Sequence, residues 1–144
     1  MNTRKSQAKR YWYARFIRIV LAGVSLPLGF LCAVNFPEQL THANGNITAG
    51  EKGFYTAIVV LVYFAIPVLS WKSIRASGLL ANLFCLLFTP YIAILLLSSG
   101  WTPSSEHAAQ WLWYVIMGNL MLFILSIIAL IFSFLRSPPP DSAP

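Results

Sequence analysis

The sequence predicts an all-α membrane protein: four transmembrane helices in an antiparallel bundle, with both termini in the cytoplasm. Three observations carry this expectation. Apolar residues make up 58% of the 144 and charged residues only 10%, far below the roughly 25% charged usage of soluble domains. Four runs are long and apolar enough to cross about 30 Å of hydrocarbon. Nine of the ten basic residues also fall on one side of a four-span thread. One integral-membrane domain accounts for the whole chain.

The first 14 residues form a basic N-terminus with Arg4, Lys5, Lys9 and Arg10, and Arg15 and Arg18 follow at the start of the first span. That span covers about residues 17–36, "IRIVLAGVSLPLGFLCAVNF". Its basic start resembles a secretory signal, but the apolar region is too long and no A-x-A-like site follows. The residues ahead of Cys32, "GFL", also lack the small residue that lipoprotein cleavage requires, so the span is read as retained. Residues 37–53, rich in Asn, Gly and Thr, read as turn and coil. Asn46-Ile47-Thr48 forms a glycosylation sequon, read as a chance match.

The second span, residues 54–71, is the shortest, yet its 18 residues at about 1.5 Å rise reach roughly 27 Å. A turn at 72–75 carries Lys72 and Arg75, and a third span covers about 76–99. After a loop at 100–110 the fourth span, about 111–135, is the most apolar, with fourteen Leu, Ile, Phe or Val residues between Val115 and Leu135. Arg136 closes it, and residues 136–144 form a proline-rich tail that cannot continue a helix.

Charge then orients the thread. The N-terminus, the 72–75 turn and the C-terminus share one side, and the other side holds Lys52 with Glu38, Glu51 and Glu106. The positive-inside rule places Arg15, Arg18, Lys72, Arg75 and Arg136 in or near the cytoplasm as topology anchors. The five tryptophans fall at span edges, Trp12 and Trp71 inside, Trp101, Trp111 and Trp113 outside, where indole rings favour the interface. The basic excess faces anionic lipid headgroups, and no folded module remains to bind nucleic acid.

Inside the bundle, small or weakly polar residues recur at helical spacing. They are Ala22, Ser25, Gly29 and Ala33 beside Cys32; Thr56, Tyr63 and Ser70; Gly78, Asn82, Cys85, Thr89 and Ala93; and Asn119, Ser126 and Ser133 near Gly118 and Ala129. Such stripes let helices approach closely and bond across the seam. Asn82, Thr89, Asn119, Tyr63 and Ser126 are thus helix-packing residues or, alternatively, the lining of a polar path. Pro27, Pro67 and Pro90 interrupt three spans, a feature that membrane helices tolerate.

Beyond Arg15 and Arg18 no span carries an ionisable acid, base or histidine, whereas proton-coupled transporters need one at membrane depth. Small multidrug transporters are of similar size but carry an intramembrane carboxylate that is missing here. His42, His107 and Glu106 or Glu38 form a metal set only if both outer loops converge, and no local spacing supports that. Cys32 and Cys85 lie in apolar runs and differ in depth by roughly 6 Å at 1.5 Å per residue, so they read as packing thiols. Neither a catalytic base beside a nucleophile nor a cofactor motif is present, and no enzyme activity or cofactor is expected.

The outline resembles that of many small bacterial inner-membrane proteins. The expected role is helix–helix contact with another membrane protein, as an accessory subunit or immunity-type protein. Self-association is a further form of that contact, and a small carrier or channel using the polar seam is the alternative.

Overall fold

In a computed structural model the backbone is described for residues 2–43, 45–98 and 106–136, with side chains for 4–41, 45–94, 110–111 and 113–135. Every element among these residues is helical: α1 (Asn2–Ala43), α2 (Ala49–Lys72), α3 (Ile74–Ser98) and α4 (Glu106–Arg136). All four are long and apolar enough to cross a membrane. The chain is therefore an integral, multi-pass membrane protein by length and composition.

The helices pack in a ring in which α1 lies along α2, α2 along α3, α3 along α4 and α4 along α1. Among the described residues α2 and α4 face each other across a diagonal with no close backbone approach. Buried positions recur at steps of three and four: Leu21, Ser25, Leu28, Cys32 and Phe36 on α1, and Val115, Asn119, Leu122, Ser126 and Ala129 on α4. That spacing is the inward stripe of a helix packed side by side with its neighbours. Among the described residues the buried polar side chains are Ser25, Ser70, Ser77, Asn119 and Ser126, while Phe30, Leu61, Leu87 and Ile131 point outward. Polar groups inside and large apolar groups outside invert the soluble pattern, as expected where hydrocarbon is the solvent.

Two connections differ from the sequence expectation. Residues 37–53 read as coil, yet α1 continues to Ala43 and α2 begins at Ala49. Phe36 and Leu40 are buried in the core and extend the α1 stripe, and Thr41 Oγ1 donates to Pro37 O at 3.0 Å. At the start of α2, Glu51 N donates to Thr48 Oγ1 while Thr48 N donates back to Glu51 Oε2 at 2.9 Å. This reciprocal capping box satisfies two orphan donors of the first turn, and its T-x-x-E signature stands in the sequence ahead of the apolar run.

The four-residue turn expected at 72–75 is shorter still, because only Ser73 lies outside a helix. Ser73 N donates to Leu69 O at 2.7 Å, closing α2, and its hydroxyl accepts from Ala76 N at 3.2 Å, opening α3. One serine therefore serves as the C-cap of one helix and the N-cap of the next. The first span also extends beyond residues 17–36. The 42-residue α1 is roughly 63 Å long at 1.5 Å rise, about twice the hydrocarbon thickness.

Close approach depends on particular glycines. A Cβ on Gly29 would stand 2.9 Å from Tyr63 Cβ, and one on Gly78 would stand 3.2 Å from the Ser126 carbonyl oxygen. A Cβ on Gly118 would overlap Leu28. These three contacts set the spacing of α1 against α2, α3 against α4 and α4 against α1.

Candidate functional site

The polar residues expected to form one seam divide into two clusters. In the first, Tyr63 OH donates to Asn119 Oδ1 at 2.6 Å across the α2–α4 diagonal. Tyr63 is fully buried and Asn119 is 1% exposed, so the bond links two helices whose backbones do not meet. The Cys32 thiol lies within hydrogen-bonding reach of Tyr63. Phe84 packs edge-on against the Tyr63 ring at 4.9 Å and stacks on Phe88, which in turn meets Phe36 at 5.7 Å. The Tyr63 ring is thus packed edge-on against both Phe84 and Phe88.

In the second cluster, Asn82 Nδ2 donates to Ser126 Oγ at 3.3 Å, and Ser126 Oγ donates to Phe123 O at 2.6 Å. Asn119 and Ser126 are seven residues apart, about 10 Å along α4. Leu122, fully buried, fills the same stripe between them. Thr89 stands apart from both bonds, half-buried on the wall of a groove between α3 and α4. That groove has a volume of about 260 Å³, and Asn119 contributes to its opposite wall. Asn119 Nδ2 has no hydrogen-bond partner among the described residues; nor do Ser25 Oγ and Thr56 Oγ1.

The basic residues fall as follows. Arg18 Nε donates to Ser70 O at 2.9 Å, and its guanidinium lies 5.8 Å from the Trp71 ring centre. Ser70 O is among the last carbonyls of α2, which lack a helical donor, so Arg18 is a cross-helix cap as well as a charge. Arg75 lies over Phe134 at 4.6 Å, a cation–π contact between α3 and α4. Arg15 and Lys72 are exposed. The side chains of Arg136, His42, Glu106 and His107, together with Trp101, the rest of the 99–105 segment and the 137–144 tail, lie outside the described residues.

Several individual expectations change. Trp111, expected at a span edge, is 5% exposed, and its Nε1 donates to Leu31 O at 3.3 Å. A buried indole N–H needs an acceptor, and a helical carbonyl has a second lone pair to offer. Ala33 faces outward, while Ser25, Gly29 and Cys32 of the same stripe face inward. Both cysteines are buried and free, Cys32 beside Tyr63 and Cys85 on the groove wall. Ser77 was not singled out in the sequence, yet its hydroxyl donates to Ile66 O at 2.7 Å and ties α3 to α2. Only its spacing of seven from Ser70 hinted at an inward position.

The chain matches no family model, no curated protein and no solved structure. The reading of function therefore rests on the geometry alone.

Proposed function

We propose that this is a non-enzymatic, multi-pass protein of the bacterial inner membrane. It acts by lateral helix contact with another membrane protein, as an accessory subunit or an immunity-type protein. Its helices run antiparallel with both ends cytoplasmic. The antiparallel course is supported by the pairs Arg18 with Ser70 and Gly29 with Tyr63, and by Asn82 with Ser126 and Gly78 with Leu130. In each set the residue number rises on one helix as it falls on the other. The orientation is supported by nine of ten basic residues on one side.

The observation that carries the proposal is the contrast between a closed interior and a large apolar exterior. Tyr63 OH is bonded to Asn119 Oδ1, Asn82 is bonded to Ser126, and Leu122 separates the pairs. The hydroxyls of Ser70, Ser77 and Ser126 donate to backbone carbonyls, which argues against activated nucleophiles. Recognition is left to the helix faces, where van der Waals packing drives association in lipid.

Photo-crosslinkers at Leu87 and Ile124, both exposed, are expected to trap one specific neighbouring protein in cells. Recovery of lipid alone from both positions overturns the reading. A second reading, a small carrier or channel, is favoured by the unpaired Asn119 Nδ2 and by Thr89 on the groove wall. It requires solute or ion flux in liposomes that Asn119→Leu abolishes.

A further inference from the structure

Along α1 the first described residue that is buried is Ala14, and Arg4 through Tyr13 are exposed on every face. About 15 Å of helix, at 1.5 Å rise, therefore stands clear of the bundle. Arg4, Lys5, Lys9 and Arg10 lie on it, Arg15 and Arg18 follow, and no acid occurs before Glu38. Helix physics disfavours this arrangement in isolation. Cations at an N-terminus oppose the macrodipole, and the first turn holds no acid to offset them. Lys5 and Lys9, four residues apart, form a like-charge pair on one face. The described carboxylates are remote from these cations. Glu38 lies twenty residues beyond Arg18, roughly 30 Å along the helix, and Glu51 is held in the Thr48 capping box. Among the described residues no anion complements this end of α1.

The outward face of α1 narrows what kind of anion fits. Trp12, Phe16, Ile19, Phe30 and Val34 are exposed at spacings that set them on one side of the helix. Lys5 and Lys9 continue that stripe toward the N-terminus, and Trp12 stacks on Phe16 with ring centres 5.6 Å apart. From the end inward the stripe reads ammonium, aromatic, aliphatic, the order in which a phospholipid presents phosphate, interface and acyl chain. A soluble acidic protein, a nucleic acid or free phosphate matches only the charged part. Depth agrees. Arg18, bonded to Ser70 O beside Trp71, marks the hydrocarbon boundary. Arg15 lies roughly 5 Å further out, inside a headgroup layer about 5–8 Å deep. Lys72, exposed and two residues past Ser70, lies in the same layer. Lys9 and Arg10, about 12–14 Å out, stand within a Debye length of about 8 Å from it, whereas Arg4 and Lys5, at about 20 Å, do not.

We propose that the basic end of α1, with the end of α2, is a binding surface for anionic phospholipid. Arg15 and Lys72 take the phosphodiester groups, and the acyl chains run past Phe16 and Ile19 toward Phe30. Lys9 and Arg10 add attraction at longer range, and the bound headgroups relieve the repulsion along the exposed helix. This role is separate from the orienting effect of the same charges, which counts cations and needs no bound lipid. The inference goes beyond contact with another protein and does not depend on one.

The test uses the full chain in vesicles of phosphatidylcholine and phosphatidylglycerol, probed with spin-labelled forms of each lipid. The motionally restricted fraction gives their relative affinity. The anionic lipid is expected to be preferred. That preference is expected to fall as salt rises from about 0.1 M to about 1 M, where the Debye length shrinks from about 10 Å to about 3 Å. Arg15→Gln and Lys72→Gln are each expected to lower it about fivefold, and Arg15→Lys to keep it. Arg4→Gln is expected to change it less than about twofold, with helical content by circular dichroism unchanged in all four variants. Four results overturn the proposal: equal affinity for the two lipids, a preference that salt does not weaken, an Arg4→Gln loss as large as that of Arg15→Gln, or displacement of the anionic lipid by inorganic phosphate beyond that by chloride at equal ionic strength. The third points to a soluble acidic partner and the fourth to a free anion. The salt and phosphate arms use the unaltered chain, so they decide the matter even where a variant fails to fold. None of the four bears on contact with another membrane protein.

Discussion

Tyr63 and Asn119 show how much one buried hydrogen bond can do where backbones do not touch. Removing the phenol hydroxyl leaves Asn119, already short of a partner at Nδ2, with no bond across the diagonal. Tyr63→Phe is expected to destabilise the fold by about 1–2 kcal/mol, measured by SDS-induced unfolding in mixed micelles. Asn119→Leu orphans the hydroxyl instead. The double variant is expected to lose less than the sum, with a coupling of about 0.6–1.7 kcal/mol; strict additivity would mean that the bond contributes nothing. Arg18 is the second informative residue. Its charge reads from the sequence as a topology signal, but its Nε bond to Ser70 O places a cation at the C-terminus of α2. Arg18→Leu is expected to cost about 0.5–1 kcal/mol in the same assay, with the orientation of the chain unchanged.

The start of α2 and the junction between α2 and α3 each have an identifiable device, and not both were legible in the sequence. Thr48 and Glu51 close the start of α2 reciprocally, so Thr48→Ala is expected to cost about 1 kcal/mol. Amide hydrogen exchange should quicken at residues 50–52, leaving the mid-helix unaffected. The T-x-x-E pattern made that boundary legible, and a composition-based reading of the loop passed over it. Ser73 is different in kind. Nothing in Lys72-Ser73-Ile74-Arg75 distinguishes a one-residue junction from a longer turn until Leu69 O and Ala76 N are seen to converge on it. Glycine positions belong to the same scale. Gly29→Val would drive new methyls into Tyr63 Cβ, a neighbour too close to the backbone to move. The expected loss is about 1–3 kcal/mol, whereas Gly23→Val, which meets nothing within 4 Å, should be nearly neutral.

Across the whole molecule the charge asymmetry is the property that a single experiment can challenge. Reporter fusions at residues 74 and 140 are expected to be active in the cytoplasm, and those at 45 and 105 outside. An external residue 74 with an internal residue 45 would refute the orientation. The number of spans was open to reading because hydrophobic length is a one-dimensional property that needs no partner. The burial stripe was only half legible. Ser25, Gly29 and Cys32 turn inward as their spacing suggested, but Ala33 turns out. Trp111, read from the sequence only as a span-edge residue, packs its ring into the bundle, where Nε1 donates to Leu31 O.

The sequence by itself determined the solvent, the count of apolar helices and the clustering of positive charge, because each depends on composition along the chain. Only the tertiary structure decided which face of each helix looks inward, how Tyr63 reaches Asn119, and where the α3–α4 groove opens. In a soluble protein the contrast between water and core would have written those faces into the pattern of apolar residues. Here lipid tails are as apolar as the interior, and the choice fell to glycine contacts, ring packing and a handful of hydrogen bonds. Those are fixed only when all four helices are in place.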